Sequence, residues 1–141
     1  MQHDEFIGQV QTRAKLASRG DAERATRATL ETLGERVPEG LVENLAAELP
    51  VEIGENLRRT ITFGGEGTGE RFDRSEFVSR ITDRTGADAP DAVFQARSVL
   101  EVVGDAVQGG LMDNVAAALP DDIKGFLGGR SGKLDDAAAG S

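Results

Sequence analysis

The chain has 141 residues and a formal net charge of −9, from 25 acidic and 16 basic side chains. The acidic surplus is shared between the halves, and it argues against binding to nucleic acid or to an anionic membrane surface, because like charges repel. There is no cysteine, which excludes disulfides and thiol chemistry.

The first predicted helix runs from Asp4 to Ala17. Phe6, Val10, Ala14 and Ala17 recur there at spacings of four, four and three, which places them along one helical face. We expect this face to be buried.

The second helix is predicted to begin at Ser18 and Asp21, because a serine side chain at this position accepts a hydrogen bond from the backbone N–H three residues on. It should end before the breaker at residues 37 to 40, which contains a proline and a glycine. A third helix follows along the leucines at 41, 45 and 49, and Pro50 ends or redirects it. Two apolar residues four apart, at 53 and 57, should anchor a short fourth helix.

The same pattern returns in the second half of the chain. The stretch LVENLAAELP at 41 to 50 matches LMDNVAAALP at 111 to 120, an offset of seventy, and EFIGQV at 5 to 10 matches EFVSRI at 76 to 81, an offset of seventy-one. The sequence therefore predicts an all-α fold of two tandem quasi-equivalent four-helix repeats packed about a pseudo-two-fold axis. Repeat 1 covers residues 4 to 61, repeat 2 covers 73 to 127, and together they form one domain over 1 to 127.

The start of repeat 2 carries clear helix signals. Asp73 is expected to cap its first helix, with Glu76 reaching back to complete a capping box and Phe72 packing on Phe77. Asp88 should cap the second helix in the same way as Ser18 in repeat 1.

Two segments lack apolar periodicity. Residues 62 to 72 contain four glycines and are predicted to be an exposed, mobile linker. Residues 128 to 141 are predicted to be a disordered tail, because they hold too little apolar surface to offset the entropy of ordering.

Candidate catalytic and ligand-binding motifs fail on inspection. The glycine-rich stretch at 64 to 71 lacks the lysine and the hydroxyl of a phosphate-binding loop. His3 is the single histidine and lies near a terminus, where a tail residue is expected, and the acidic pairs do not have the spacing of a calcium loop. No catalytic, cofactor-binding or metal-ligating residue is therefore predicted.

Two polar pairs have open interpretations. Asn44 and Asn114 occupy equivalent positions, where they either hydrogen-bond across the axis, line a small polar site or face solvent. Arg58 and Arg59 either compensate the dipole at a helix C-terminus or contact an anion or a partner.

The segments EFIGQV, RATLETLGERV, NLAAELPVEI, RFDRSEFVSRI and NVAAALPDDI resemble the prokaryotic domain-of-unknown-function family 2267. The resemblance covers about residues 4 to 127 and is carried by Phe6 and Phe77, the Leu-Glu of each second helix, and the Leu-Pro pairs at 49–50 and 119–120. It implies a small, all-helical, duplicated protein, with no assigned activity and no catalytic residues to transfer.

Two functions are compatible with these observations. The first is a non-catalytic interaction module, an adaptor or stress-related protein that binds another protein, as a monomer or a homodimer. The alternative is a small-ligand binder or enzyme with a cleft between the repeats. A deep pocket with convergent charged groups would favour the second, and a shallow apolar patch the first.

The surface composition bears on where the protein works. The sequence shows neither a secretion signal nor a membrane-spanning apolar run, so we expect a soluble cytoplasmic protein. Three lysines against 13 arginines, with abundant carboxylates, fit a salt-rich cytoplasm as well as an ordinary acidic protein. If the protein comes from a salt-rich cytoplasm, its stability should rise with KCl concentration into the molar range.

Overall fold

A computed structural model describes residues 1–61 and 67–127. Over these residues the chain is all-helical and contains no strand. The helices are α1 His3–Arg13, α2 Arg19–Arg36, α3 Glu39–Glu48, α4 Val51–Arg58, α5 Arg74–Thr85, α6 Ala89–Ala106, α7 Leu111–Ala117 and α8 Asp121–Lys124, which continues as a 3₁₀ turn Gly125–Leu127. The predicted tail at 128 to 141 and residues 62 to 66 of the predicted linker lie outside the described residues.

The predicted caps are confirmed. Ser18, Asp73 and Asp88 each accept a hydrogen bond at 3.0 Å from the backbone N–H three residues on. The capping box at α5 differs from the prediction, because the Glu76 carboxylate accepts from Arg80 Nε at 2.8 Å. The arginine therefore takes the carboxylate that was expected to reach back to the start of the helix.

The first helix is shorter than predicted. It ends at Arg13, four residues before Ala17, because Lys15 adopts a φ of 56°, in the left-handed region that stops a helix. Ala17 is consequently exposed, and the buried face of α1 includes Ile7, which the predicted stripe omitted.

The aromatic contact expected at the start of α5 is also different. Phe77 pairs with Phe126 of the 3₁₀ turn, their ring centroids 5.0 Å apart. Phe72 lies under guanidinium groups, with the Cζ atoms of Arg80 and Arg36 at 4.0 Å and 5.9 Å from its ring centroid. The two phenylalanines therefore have separate roles, one in the core and one beneath surface cations.

Buried apolar residues from both halves form one cluster. The two 18-residue helices, α2 and α6, contact each other, and each also packs on the first helix of the other half, α5 and α1 respectively. Leu45 of α3 and Leu49, which follows the last residue of that helix, are both buried, so this stretch of the sequence serves packing. None of the helices in the described ranges is both long enough and apolar enough to cross a bilayer.

A charged contact joins α5 to α2. Arg84 donates from Nη2 to Glu35 Oε2 at 2.6 Å and from Nη1 to Thr32 Oγ1 at 2.7 Å, and its Nε lies 3.9 Å from Glu31 Oε1. We call this group the α5–α2 clamp. Because Glu35 and Glu31 are only 20% and 22% exposed, the clamp is half-buried and is screened less than a surface ion pair.

A similar contact joins α1 to α6. Arg13 donates from Nη2 to Asp105 Oδ2 at 2.6 Å, and its Nη1 lies 3.7 Å from Glu101 Oε1. We call this group the α1–α6 clamp. Each first helix therefore contacts the long helix of the other half through an arginine that faces two acids, and α5 adds a second arginine, since Arg80 Nη1 donates to Glu35 Oε1 at 2.9 Å.

The described part of the linker is tied to the end of α2. Gly69 and Glu70 donate backbone hydrogen bonds to the carbonyls of Val37 and Glu35, at 3.0 Å and 2.8 Å. The Glu70 carboxylate accepts from the Arg80 guanidinium at 3.0 Å, and this hydrogen bond holds the pKa of Glu70 below its usual value. Residues 69 to 71 are exposed as predicted, yet the segment is held by specific bonds that composition alone did not indicate.

The Glu70 contact generates a pH prediction. A carboxyl group whose pKa is lowered on folding stabilises the protein when the pH is above its ordinary pKa of 4.5. This stabilisation is lost as the pH falls through the folded-state pKa. Urea denaturation of the wild type and Glu70→Gln should therefore give a constant stability difference at neutral pH that shrinks below about pH 4.5.

The matched control is Glu43→Gln, which removes an exposed carboxylate with no ion-pair partner in the part of the chain that the structure describes. Its stability difference should be small at every pH. A Glu70→Gln difference independent of pH down to pH 3 would contradict the assignment.

Candidate functional site

The two asparagines singled out in the sequence face solvent. Asn44 on α3 and Asn114 on α7 are both exposed, and within the described ranges no hydrogen bond joins their side chains. Of the three interpretations, the solvent-facing one agrees with the structure.

The paired arginines have separate roles. Arg58 stays on its own helix, 3.4 Å from Glu55 Oε2. Arg59 reaches from α4 to Glu31 of α2 at 3.3 Å and donates to Asn56 Oδ1 at 2.5 Å. Only Arg59 therefore takes part in tertiary structure.

His3 is part of the folded structure. It is the first residue of α1, its side chain is 28% exposed, and its Nδ1 lies 3.5 Å from Asp4 Oδ1. The expectation of a loose tail residue is therefore wrong for His3, because α1 begins earlier than the apolar stripe indicated.

His3 borders a cavity of about 280 Å³ within the first half of the chain. We call it the α1/α2/α4 cavity. Its lining includes His3 and Ile7 of α1, Thr26 and Arg27 of α2, and Glu52 and Asn56 of α4. The alternative cleft, which draws on both halves through residues such as Asp21, Thr85 and Gln95, is smaller at about 210 Å³.

Three helix N-termini meet at the α1/α2/α4 cavity. His3 is the first residue of α1, Gly20 the second of α2 and Glu52 the second of α4, and all three line it. First-turn N–H groups lack intrahelical acceptors and carry the positive end of the helix dipole. No side chain caps α1 or α4, so their first turns keep donors for another acceptor.

The lining also carries side-chain charge. Arg24, Arg27 and Arg59 contribute three cations, against the carboxylates of Glu23 and Glu52. Arg24 and Arg59 each face an acid outside the lining, Asp21 at 3.5 Å and Glu31 at 3.3 Å, so Arg27 is the arginine of the lining without an ion-pair partner in the described ranges. The arginines and the helix N-termini have the same sign and favour an anion.

Thr26 and Asn56 are the buried polar residues of the lining, and Thr26 is the more buried of the two. It is 1% exposed, and its hydroxyl has no hydrogen-bond partner among the residues that the structure describes. Leaving such a group unpaired costs about 1–3 kcal/mol. By contrast, the Thr32 hydroxyl, two turns along α2, donates to the Ala28 carbonyl and accepts from Arg84. The Thr26 hydroxyl is therefore an unpaired buried group on a residue that borders the cavity.

In the second half, the sequence position that corresponds to Asn56 holds a buried aromatic ring. At the sequence offset of seventy, Phe126 stands where repeat 1 has Asn56, and Ala96 where it has Thr26. The Phe126 ring is 1% exposed, contacts Phe77 and is covered by the Arg74 guanidinium at 4.7 Å. The two repeats therefore differ in sequence at these positions, and that difference is the signal that would have located the cavity. A comparison that considers only the residues shared by the repeats does not find it.

No group of three or more histidine, cysteine, aspartate or glutamate side chains is arranged to hold a metal ion in residues 1–61 and 67–127. The chemistry that the cavity offers is hydrogen bonding and charge.

Comparison with known families identifies the chain. The family described as Uncharacterized conserved protein (DUF2267) matches residues 3–126. The chain belongs to this family, as the segments compared above indicated. No curated protein matches the chain.

The unpaired hydroxyl generates a stability prediction. Thr26→Val replaces the hydroxyl by a methyl group of similar size, so the cost of burying an unpaired polar group disappears. We expect the free energy of unfolding to rise by about 1 kcal/mol in urea denaturation.

Thr32→Val is the matched control on the same helix. It removes a hydroxyl with two partners and should destabilise the protein by about 1–3 kcal/mol, since the Arg84 guanidinium loses an acceptor. A loss of stability in Thr26→Val comparable to that in Thr32→Val would show that the Thr26 hydroxyl has a partner.

Proposed function

We propose that this member of the DUF2267 family is a non-catalytic binding module that holds a small anionic ligand in the α1/α2/α4 cavity. The observation that carries the proposal is the buried, unpartnered Thr26 hydroxyl in a cavity where Arg27 also has no ion-pair partner among the described residues. The Arg27 guanidinium would gain an acceptor from a bound anion, and the Thr26 side chain borders the same space.

The electrostatics of the cavity support an anion over a cation. Arg27 and the uncapped first turns of α1 and α4 supply donors and positive charge at one place. The net charge of −9 repels anions at long range, so affinity must come from these local contacts rather than from electrostatic steering.

The lining supports binding rather than catalysis. Thr26 is the hydroxyl-bearing residue there, and no general base is hydrogen-bonded to it within the described ranges. An activated nucleophile needs such a base within hydrogen-bond reach. We therefore propose that the ligand is held without being transformed.

The proposal includes the two-repeat arrangement about a pseudo-two-fold axis, within one domain. The clamps support it, since at offsets of seventy-one and seventy Arg13 corresponds to Arg84 and Asp105 to Glu35. The helix contacts exchange in the same way: α1–α6 corresponds to α5–α2, and α1–α4 to α5–α8. Experimental coordinates with a different topology in the two halves would contradict it.

The protein-interaction hypothesis stays a prediction. The exposed large apolar residues are Met1, Val51 and Phe94, which lie on the N-terminal segment, α4 and α6. No observation identifies which surface would receive a partner, so the ligand-binding proposal has the better support.

Titration with inorganic phosphate, followed by NMR amide shifts in a low-chloride buffer, tests the proposal. We expect saturable shifts in the first turns of α1, α2 and α4. Arg27→Gln should weaken the affinity at least about tenfold, because a hydrogen bond to a charged group contributes about 1.5–3 kcal/mol.

Arg97→Gln is the matched control, since Arg97 is the exposed residue that corresponds to Arg27 in the second half. It should leave the affinity unchanged. Shifts that do not saturate, or equal losses in the two variants, would overturn the proposal.

A further inference from the structure

The α1/α2/α4 cavity contains two side chains of opposite charge that lack ion-pair partners. Arg27 on α2 and Glu52 on α4 both line it, and neither forms an ion pair with any residue that the structure describes. Resting on the proposed function, we infer that the ligand is a zwitterion of the α-amino-acid class, with its carboxylate at Arg27 and its ammonium at Glu52.

The other charged groups of the lining are already engaged. Glu23 lies 3.6 Å from Arg19, and Arg59 lies 3.3 Å from Glu31. Arg24 lies 3.5 Å from Asp21. Arg27 and Glu52 are therefore the one cation and the one carboxylate of the lining, apart from the histidine, that have no protein partner in the described ranges.

Arg27 and Glu52 do not pair with each other, although they border one cavity. Both side chains are exposed and line the same cavity, so a molecule that carries both charges could pair with each of them. An α-amino acid carries an ammonium and a carboxylate on one carbon, so it places opposite charges within a few ångströms. A simple anion would use Arg27 alone and gain nothing from the Glu52 carboxylate, so it should bind more weakly than a molecule that pairs with both.

The remaining lining sets the size and polarity of the ligand. Ile7 and Ile53 supply apolar surface, while Thr26 and Asn56 supply hydrogen-bonding groups. The volume of about 280 Å³ lies at the small end of ligand pockets, which run from about 300 to 1,000 Å³. An amino acid with a small side chain fits these dimensions better than a nucleotide.

The test compares L-valine with two analogues that each lack one charge. Isovalerate lacks the ammonium, and isobutylamine lacks the carboxylate. Each is titrated into the full-length protein and followed by NMR amide shifts, with inorganic phosphate run in parallel. Valine should bind at least tenfold more tightly than either analogue. Glu52→Gln should reduce valine affinity to that of isovalerate and leave isovalerate binding unweakened.

Glu55→Gln is the control, because Glu55 is an exposed acid on the same helix outside the cavity lining. It should bind valine as the wild type does. Equal binding of valine and isovalerate would overturn the zwitterion inference while leaving the anion proposal intact. Isobutylamine binding as tightly as valine would overturn both, because the carboxylate would then contribute nothing to affinity. Failure of valine, isovalerate and phosphate alike would overturn both.

Discussion

The arrangement of the two halves depends on the arginine that each first helix directs at the long helix of the other half. Arg84 and Arg13 both place Nη2 at 2.6 Å from a carboxylate on the opposite long helix. In the α5–α2 clamp the acids are about one-fifth exposed, and each has a second arginine: Arg80 Nη1 lies 2.9 Å from Glu35, and Arg59 Nε lies 3.3 Å from Glu31. Apolar packing supplies the driving force for docking, and these directional contacts specify how far one helix slides along the other.

The clamps hold the two halves in a similar way, so a residue that differs between them can explain a local difference in packing. If equivalent helices occupy equivalent positions, one residue decides whether the space beside the first and fourth helices is filled. Phe126 fills it in the second half by packing on Phe77. Asn56, at the same place in the first half, instead accepts from Arg59 and leaves room beside Thr26. On the proposed two-repeat arrangement, the cavity lies where the first half has Asn56 and the second half has Phe126.

The sequence predicts much of this fold because most of its signals are local. Helix starts follow from Ser18, Asp73 and Asp88, whose side chains bond a backbone N–H three residues away. The end of α1 was mispredicted because apolar spacing continues to Ala17, whereas the left-handed conformation of Lys15 depends on the turn into α2.

The cavity and the clamps were beyond the reach of local patterns. The pairing of Arg84 with Glu35 spans 49 residues, and helical periodicity contains no information about which exposed charges meet. Thr26 looked like one of several threonines on α2, and only packing shows that its hydroxyl is unpartnered while that of Thr32 is not. The difference between Asn56 and Phe126 is present in the sequence. It was not used because the two repeats were compared only for the residues that they share.

The central proposal is that the two halves have the same helix arrangement, with a cavity in the first half at the position that Phe126 occupies in the second. Asn56→Phe tests this most directly, by placing in repeat 1 the side chain that fills repeat 2. The measurement is the melting temperature with and without inorganic phosphate. The account predicts a folded variant whose melting temperature no longer responds to phosphate, while the wild type is stabilised by it. A variant that fails to fold, or one that phosphate still stabilises as it does the wild type, would contradict the account.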